Sequence, residues 1–314
     1  MNRTLKPTRA VVRQAFIALC VAGAYYATGY YGIVAKVPPA GITAVWPPAA
    51  VILAALLLTP RRLWWTYLLV VGATHLYLFV RCMPTMSPMT MAFQFLGYGA
   101  QAFLAAEALR RFGGLPPRFD NLRSVTTFIL LGAIAAPLIA STIVVYLYTL
   151  TGWVGDYWLV WRQRLIANVV PTLTLTPLIV LTVKDGVACM RRTSARGYAE
   201  FAALLLIVVG VGFAVFGWKS AGHQAVPALL YALLPLLLWA AVRFEPAGLY
   251  SCIVLIGIVS LINAFHGKGP FLTLSRDENV LALQLFLVAM SVPLILLGAL
   301  VQERRNTEMA LRDS

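Results

Sequence analysis

The chain has 314 residues, 61% of them hydrophobic and only 11% charged, with a mean hydropathy of +0.82. No soluble class has that composition, which marks an all-α, polytopic membrane protein. The formal net charge of +14 does not point to nucleic acid. Its basic residues sit in short gaps between apolar runs, where they set orientation and meet anionic headgroups, and no basic face with interleaved aromatics accompanies them.

Ten apolar runs follow one another at about 11–34, 42–59, 63–80, 89–109, 124–150, 161–183, 198–217, 225–242, 247–265 and 279–302. A helical span needs about 20 apolar residues to cross a hydrocarbon core about 30 Å thick. The expectation is a bundle of about ten transmembrane helices, or eight if two short runs are re-entrant. The first run is too long for a signal-peptide core and ends on Tyr25, Tyr26, Tyr30 and Tyr31, so it is expected to stay as an uncleaved helix. Of the 25 Lys and Arg residues, seven (Lys36, Arg81, Arg162, Arg164, Lys219, Lys268, Arg276) fall in one set of alternate gaps. The other eighteen fall in the set that includes the N-terminus, which predicts both termini in the cytoplasm. Trp64, Trp65, Trp153, Trp158, Trp161 and Trp218 stand near run ends, as an interfacial belt requires.

Residues 1–302 form one domain, without repeats or linkers. Residues 303–314 belong to a polar stretch rich in helix formers and free of Gly and Pro, so the tenth span is predicted to run on into the cytoplasm as one helix. Leu296, Leu300, Glu303, Thr307 and Ala310 follow a three–four spacing, a stripe suited to a partner helix in a homodimer. A chain that ends on an uncapped helix is expected to lead into an output domain beyond Ser314.

Several segments carry a resemblance. Trp46-Pro47-Pro48-Ala49-Ala50 opens the second run and Arg61-Arg62-Leu63-Trp64 follows it. Ile166-Ala167-Asn168 and Leu175-Thr176-Pro177-Leu178 lie in the sixth, Arg243-Phe244 follows the eighth, and His266-Gly267-Lys268-Gly269-Pro270-Phe271 precedes the tenth. Over nearly the whole chain this resembles the type-one membrane-associated sensor (MASE) family of bacteria, most specifically in the Gly-rich loop and the Glu303-Arg304-Arg305 exit. The resemblance implies an input module in the inner membrane that feeds cytoplasmic PAS, diguanylate cyclase, phosphodiesterase or histidine kinase domains. It implies a role and no stimulus. The sequence stops at Ser314, so the output domain that the resemblance implies is expected to follow it.

Nothing in the chain suggests catalysis. There are 11 acidic residues, and within the runs only Glu107 and Glu200 occur, each near a run end. Paired carboxylates, a Gly-rich nucleotide loop, HExxH and GxSxG are all missing. No enzyme activity and no cofactor are expected. The partners expected are the bilayer, a second copy of the chain, and a small-molecule ligand or another membrane protein. The rival reading is a small secondary transporter or channel, and behind it a passive anchor.

Four places are candidates for function. In the sixth run, Asn168, Pro171, Thr172, Thr174, Thr176 and Pro177 interrupt an apolar helix; the two prolines free carbonyls at membrane depth, as in helices that line binding cavities. The competing reading is a kink whose Thr hydroxyls bond their own backbone. Arg162 and Arg164 stand near the outer end of that run. Two residues apart, they face different sides of a helix, so at most one enters the bundle, and snorkelling to headgroups is the alternative. In the loop from His266 to Phe271, Gly267 and Gly269 flank Lys268, a composition that suits either an anion-binding turn or a plain one. Trp46 and Arg243 join these as ligand-binding candidates through the resemblance. Finally, Met83, Met86 and Met89, with Cys82 beside them, offer soft sulfur ligands for Cu(I), and His75, His223 and His266 fall toward the same side; an apolar loop resting on the membrane is the alternative.

Overall fold

The computed structural model describes residues 5–34, 36–37, 42–113, 116–217, 229–271 and 276–312. Trp218, Lys219 and His223 lie outside them. The described chain is an all-helical bundle whose elements follow the ten apolar runs. They are α1 (Leu5–Val34), α2 (Pro48–Leu58), α3 (Trp64–Cys82), α4 (Pro88–Phe112), α5 (Leu122–Thr127), α6 (Ala136–Leu150), α7 (Tyr157–Arg192), α8 (Ala195–Phe216), α9 (Leu233–Arg243), α10 (Pro246–Phe265) and α11 (Arg276–Arg312). A two-residue antiparallel pair, β1 (Lys36–Val37) and β2 (Ile42–Thr43), precedes α2. Among the described residues, seven helical stretches are long and apolar enough to cross a membrane. α4 has the length, at 25 residues, but carries more polar side chains.

The helices begin where the sequence supplies a cap. Ser87 accepts from Thr90 N, Asn121 from Ser124 N, Asp156 from Leu159 N and Ser194 from Gly197 N, each bond satisfying one orphan amide of the first turn. α5 and α6 are one span, joined by a π-helical stretch at Phe128–Ala135. Pro137 lies one residue into α6 and lacks an N–H, so the ordinary bond to the carbonyl four residues back is impossible there and the ladder upstream widens.

The second run departs from a full crossing. α2 has 11 residues and rises about 16 Å, half a bilayer. Ten of the eleven are buried and no side of the helix is polar. It is entered through the non-helical segment Val45-Trp46-Pro47, a backbone irregularity permitted at such depth only where protein surrounds it. Trp46 N donates to Ala167 O at 2.8 Å. That carbonyl is free because Pro171, four residues on, has no N–H to give it. The proline inside α7 therefore frees the acceptor that seats α2.

α7 is the central element. It packs against α2, α6, the π-helical stretch, α10 and α11, while α1 lies on α2 and α3, and α8 and α9 lie on α10. Leu173, Val180, Leu237, Ile253, Leu287 and Leu294 belong to one continuous apolar core. α1 approaches its end at Ile33, while α11 begins beside Ala44, whose carbonyl accepts from the Gln284 amide. Both segments lie at one end of the bundle, so Leu5 and Arg312 lie at the other.

Candidate functional site

The cavity sits near the end of the bundle remote from Leu5 and Arg312, under the loop of Met83 to Ser87 and the loop of Thr151 to Asp156. It has a volume of about 50 Å³. That is room for a few water-sized groups, since one needs about 10–15 Å³ by this measure. Arg164, Asn168, Trp46, Tyr98 and Tyr148 line it, with Phe79 and Gln94 beside them.

Arg164 is its centre. The residue is seven positions into α7, so its Cα lies about 10 Å from the start of the helix. It is 5% exposed, whereas Arg162 on the other side of the helix is exposed. Its Nη1 donates to the Tyr98 hydroxyl at 3.0 Å, and its guanidinium carbon lies 4.3 Å from the Tyr98 ring centre and 5.9 Å from that of Tyr148. Ring faces carry negative potential, so these contacts favour the cation. Nε and Nη2, which share one edge of the planar group, have no hydrogen-bond partner among the described residues. Among the described residues, no Asp or Glu lines the cavity.

Asn168, one turn on, donates from Nδ2 to the Arg164 carbonyl at 2.7 Å. Its Oδ1 is buried and unpartnered among the described residues, as is the Trp46 indole Nε1. The Trp46 ring stacks on Tyr98 with centres 5.2 Å apart and also meets Phe79. Behind this wall lies a second layer, in which the Tyr25 hydroxyl and His75 Nδ1 are 2.9 Å apart and the His75 ring stacks on Phe79 at 4.4 Å. The result is an aromatic shell around a buried cation.

The sequence candidates divide accordingly. Trp46, Arg164 and Asn168 come together in the cavity, together with Met83 and Met86. Met89 does not: it is 54% exposed, on the first turn of α4. The three Met sulfurs therefore do not face a common point, because a spacing of three carries the chain from the loop across the start of a helix. His75 is committed to Tyr25, and His266 is exposed with Nδ1 2.7 Å from Ile262 O.

None of the residues from His266 to Phe271 lines the cavity. Gly267 and Gly269 do adopt positive φ, at 65° and 128°. The amides of His266, Gly267 and Lys268 turn back to carbonyls of Ile262, Asn263 and Ala264, which closes the end of α10 in the manner of a left-handed cap. Arg243 is at the opposite end of the bundle, bidentate to Glu200 at 2.7 and 2.8 Å.

Two of the interrupting threonines in α7 bond to backbone: Thr174 to Val170 O in its own helix, and Thr176 to Ala50 O in α2. Thr172 Oγ1 is buried without a partner among the described residues. Backbone-bonded threonine and packing surface are thus both present in one continuous helix.

Tyr98, Tyr148 and Gln94 were not among the sequence candidates. A signal existed in α4, where Gln94, Tyr98 and Gln101 lie at i, i+4 and i+7 in an apolar run, and all three are buried. A polar stripe at helical spacing inside a membrane span points into the bundle. Tyr148 had no comparable signal.

The far end of α11 forms the other organised feature. The Glu303 carboxylate accepts from Leu122 N at 2.9 Å, at the start of α5, and the Arg305 guanidinium donates to Val242 O, at the end of α9. Leu296 is half-buried, whereas Leu300 is 45% exposed and Thr307 is exposed. The buried face of α11 is instead Met290, Leu294, Ile295 and Ala299, so the three–four stripe read from the sequence lies partly off the bundle.

Compared with known proteins, residues 17–305 match the sequence model of the MASE1 family. No curated protein and no solved structure matches the chain.

Proposed function

The chain belongs to the MASE1 family of membrane-associated sensory domains, and we propose that it receives a signal at the cavity end and passes it through α11 to a cytoplasmic output module, a histidine kinase or a cyclic-di-GMP enzyme. The proposal includes an inner-membrane location, both termini in the cytoplasm, and a homodimer in which exit helices pair.

One observation carries the reading: α11 is continuous from Arg276 to Arg312 and is bonded near both ends. Gln284 reaches Ala44, two residues before Trp46 of the cavity wall; Glu303 and Arg305 bond α5 and α9 at the far end. The two far-end charges suit their sites, since a helix start carries partial positive charge and a helix end partial negative charge. A rigid helix gripped this way transmits by choosing between packed arrangements, and a signal biases the choice only by interacting differently with each.

The test adds a histidine kinase domain after Ser314 and inserts residues after Arg305. Two inserted residues rotate the output by about 200° and seven nearly restore the face, at about 3.6 residues per turn. Kinase activity should change with two and return with seven. A transporter's tail tolerates both, so activity indifferent to helical phase would refute transmission by this helix.

A further inference from the structure

The geometry at Arg164 points to a receptor site for a small carboxylate that also offers one hydrogen-bond donor, such as a short 2-hydroxy acid. Its role as the input signal rests on the sensory reading above, whereas the binding itself stands on the site.

Charge comes first. A buried cation within a membrane span is costly, and such residues pair with an opposite charge or line a polar cavity. Arg164 is 5% exposed, and the groups that face it from α4 and α6 are the phenols Tyr98 and Tyr148, with no carboxylate among the described residues lining the cavity. Ring faces moderate the cost of the cation but do not neutralise it.

Shape comes next. Nε and Nη2 are the two parallel donors with which arginine grips a carboxylate in a two-point fork, and these are the two that lack a partner, Nη1 being held by Tyr98. Trp46 and Asn168 also line the cavity, and among the described residues Trp46 Nε1 is a third buried donor without a partner and Asn168 Oδ1 an acceptor without one. A carboxylate satisfies the donors and cannot satisfy Asn168, which needs an O–H or N–H. The complementary ligand is therefore a carboxylate with an adjacent donor. The volume of about 50 Å³ restricts it to a few heavy atoms.

The experiment uses the full chain in lipid nanodiscs and follows tryptophan fluorescence, since Trp46 and Trp153 line the cavity. Glycolate, acetate, chloride and inorganic phosphate are the probes. Glycolate should give a saturable change, acetate should bind more weakly for want of the hydroxyl, and chloride and phosphate should give none. Arg164→Gln should lower glycolate affinity at least tenfold. Should that variant fail to fold, Asn168→Asp decides: it tethers a carboxylate one turn from Arg164, and should raise the thermal midpoint while abolishing glycolate binding. No saturable response to either carboxylate, equal binding of chloride, or unchanged binding in Asn168→Asp overturns the site. Glycolate binding without an effect on the phase-sensitive kinase leaves the site and refutes its role as the input. Phase sensitivity without glycolate binding does the reverse.

Discussion

Arg164 keeps its place because its neighbours leave it room. Gly97 precedes Tyr98 on α4, where a methyl group would run into Val144 Cγ2 and lie 3.1 Å from Arg164 Nη2. Any side chain there must push α6 away or displace the guanidinium. Overpacking of this kind costs about 1–3 kcal/mol. Gly97→Ala is therefore expected to lower the thermal midpoint by several degrees and to weaken the Arg164 site. Gly210→Ala, with open space around its Cβ position, should do neither and serves as the comparison. Equal midpoints for the two variants would show that α4 and α6 are not in close contact at Gly97. Arg162 shows the complementary case. Two residues away from Arg164, it faces out, and its distance from the cavity follows from helical geometry alone.

Elements were legible to different degrees. Long runs such as 247–265 became helices with matching ends, because hydrophobic length is written directly in the residues. α2 was not legible as a half-helix: its eleven residues are as apolar as those of a span, and only the partner it buries against sets its depth. The prolines of α7 announced free carbonyls but not their acceptor role toward Trp46 N, a contact across more than a hundred residues. The polar face of α4 was readable in its spacing. For α11, continuity was readable from composition, whereas the contacts of Glu303 and Arg305 depend on where α5 and α9 end. These contacts carry a prediction of their own. Glu303→Gln keeps an acceptor for Leu122 N but loses the charge, and a charge at a helix start is worth about 0.3–1 kcal/mol. In the kinase fusion it should shift basal activity modestly, and Glu303→Ala should shift it further in the same direction. Matching activities in all three proteins would mean that this grip does not couple α11 to α5.

At the scale of the whole molecule, the chain is a bundle with chemically distinct ends. One end bears the cavity, the Met loop and the cap of α10. The other bears Leu5 and Arg312, the Arg243–Glu200 pair, and Glu107 held by Arg61, Arg110 and Arg111. Glu107 answers only part of that positive charge, since Arg62, Arg118, Arg123 and Arg304 lie among the same gaps. Short loops with such an excess of Arg and Lys are retained on the cytoplasmic side during insertion. The fold makes this a constraint on the molecule as a unit, because α1 begins and α11 finishes at the basic end and neither can be reversed separately without unseating α2. Reporters fused after Arg196 and after Ser314 should therefore register as internal, and one placed at Pro84 as external. An external signal after Ser314 would invert the bundle and put the Arg164 cavity on the cytoplasmic face. The carboxylate would then be a metabolite of the cell interior, and the same glycolate titration would be expected to act from inside inverted vesicles rather than from outside.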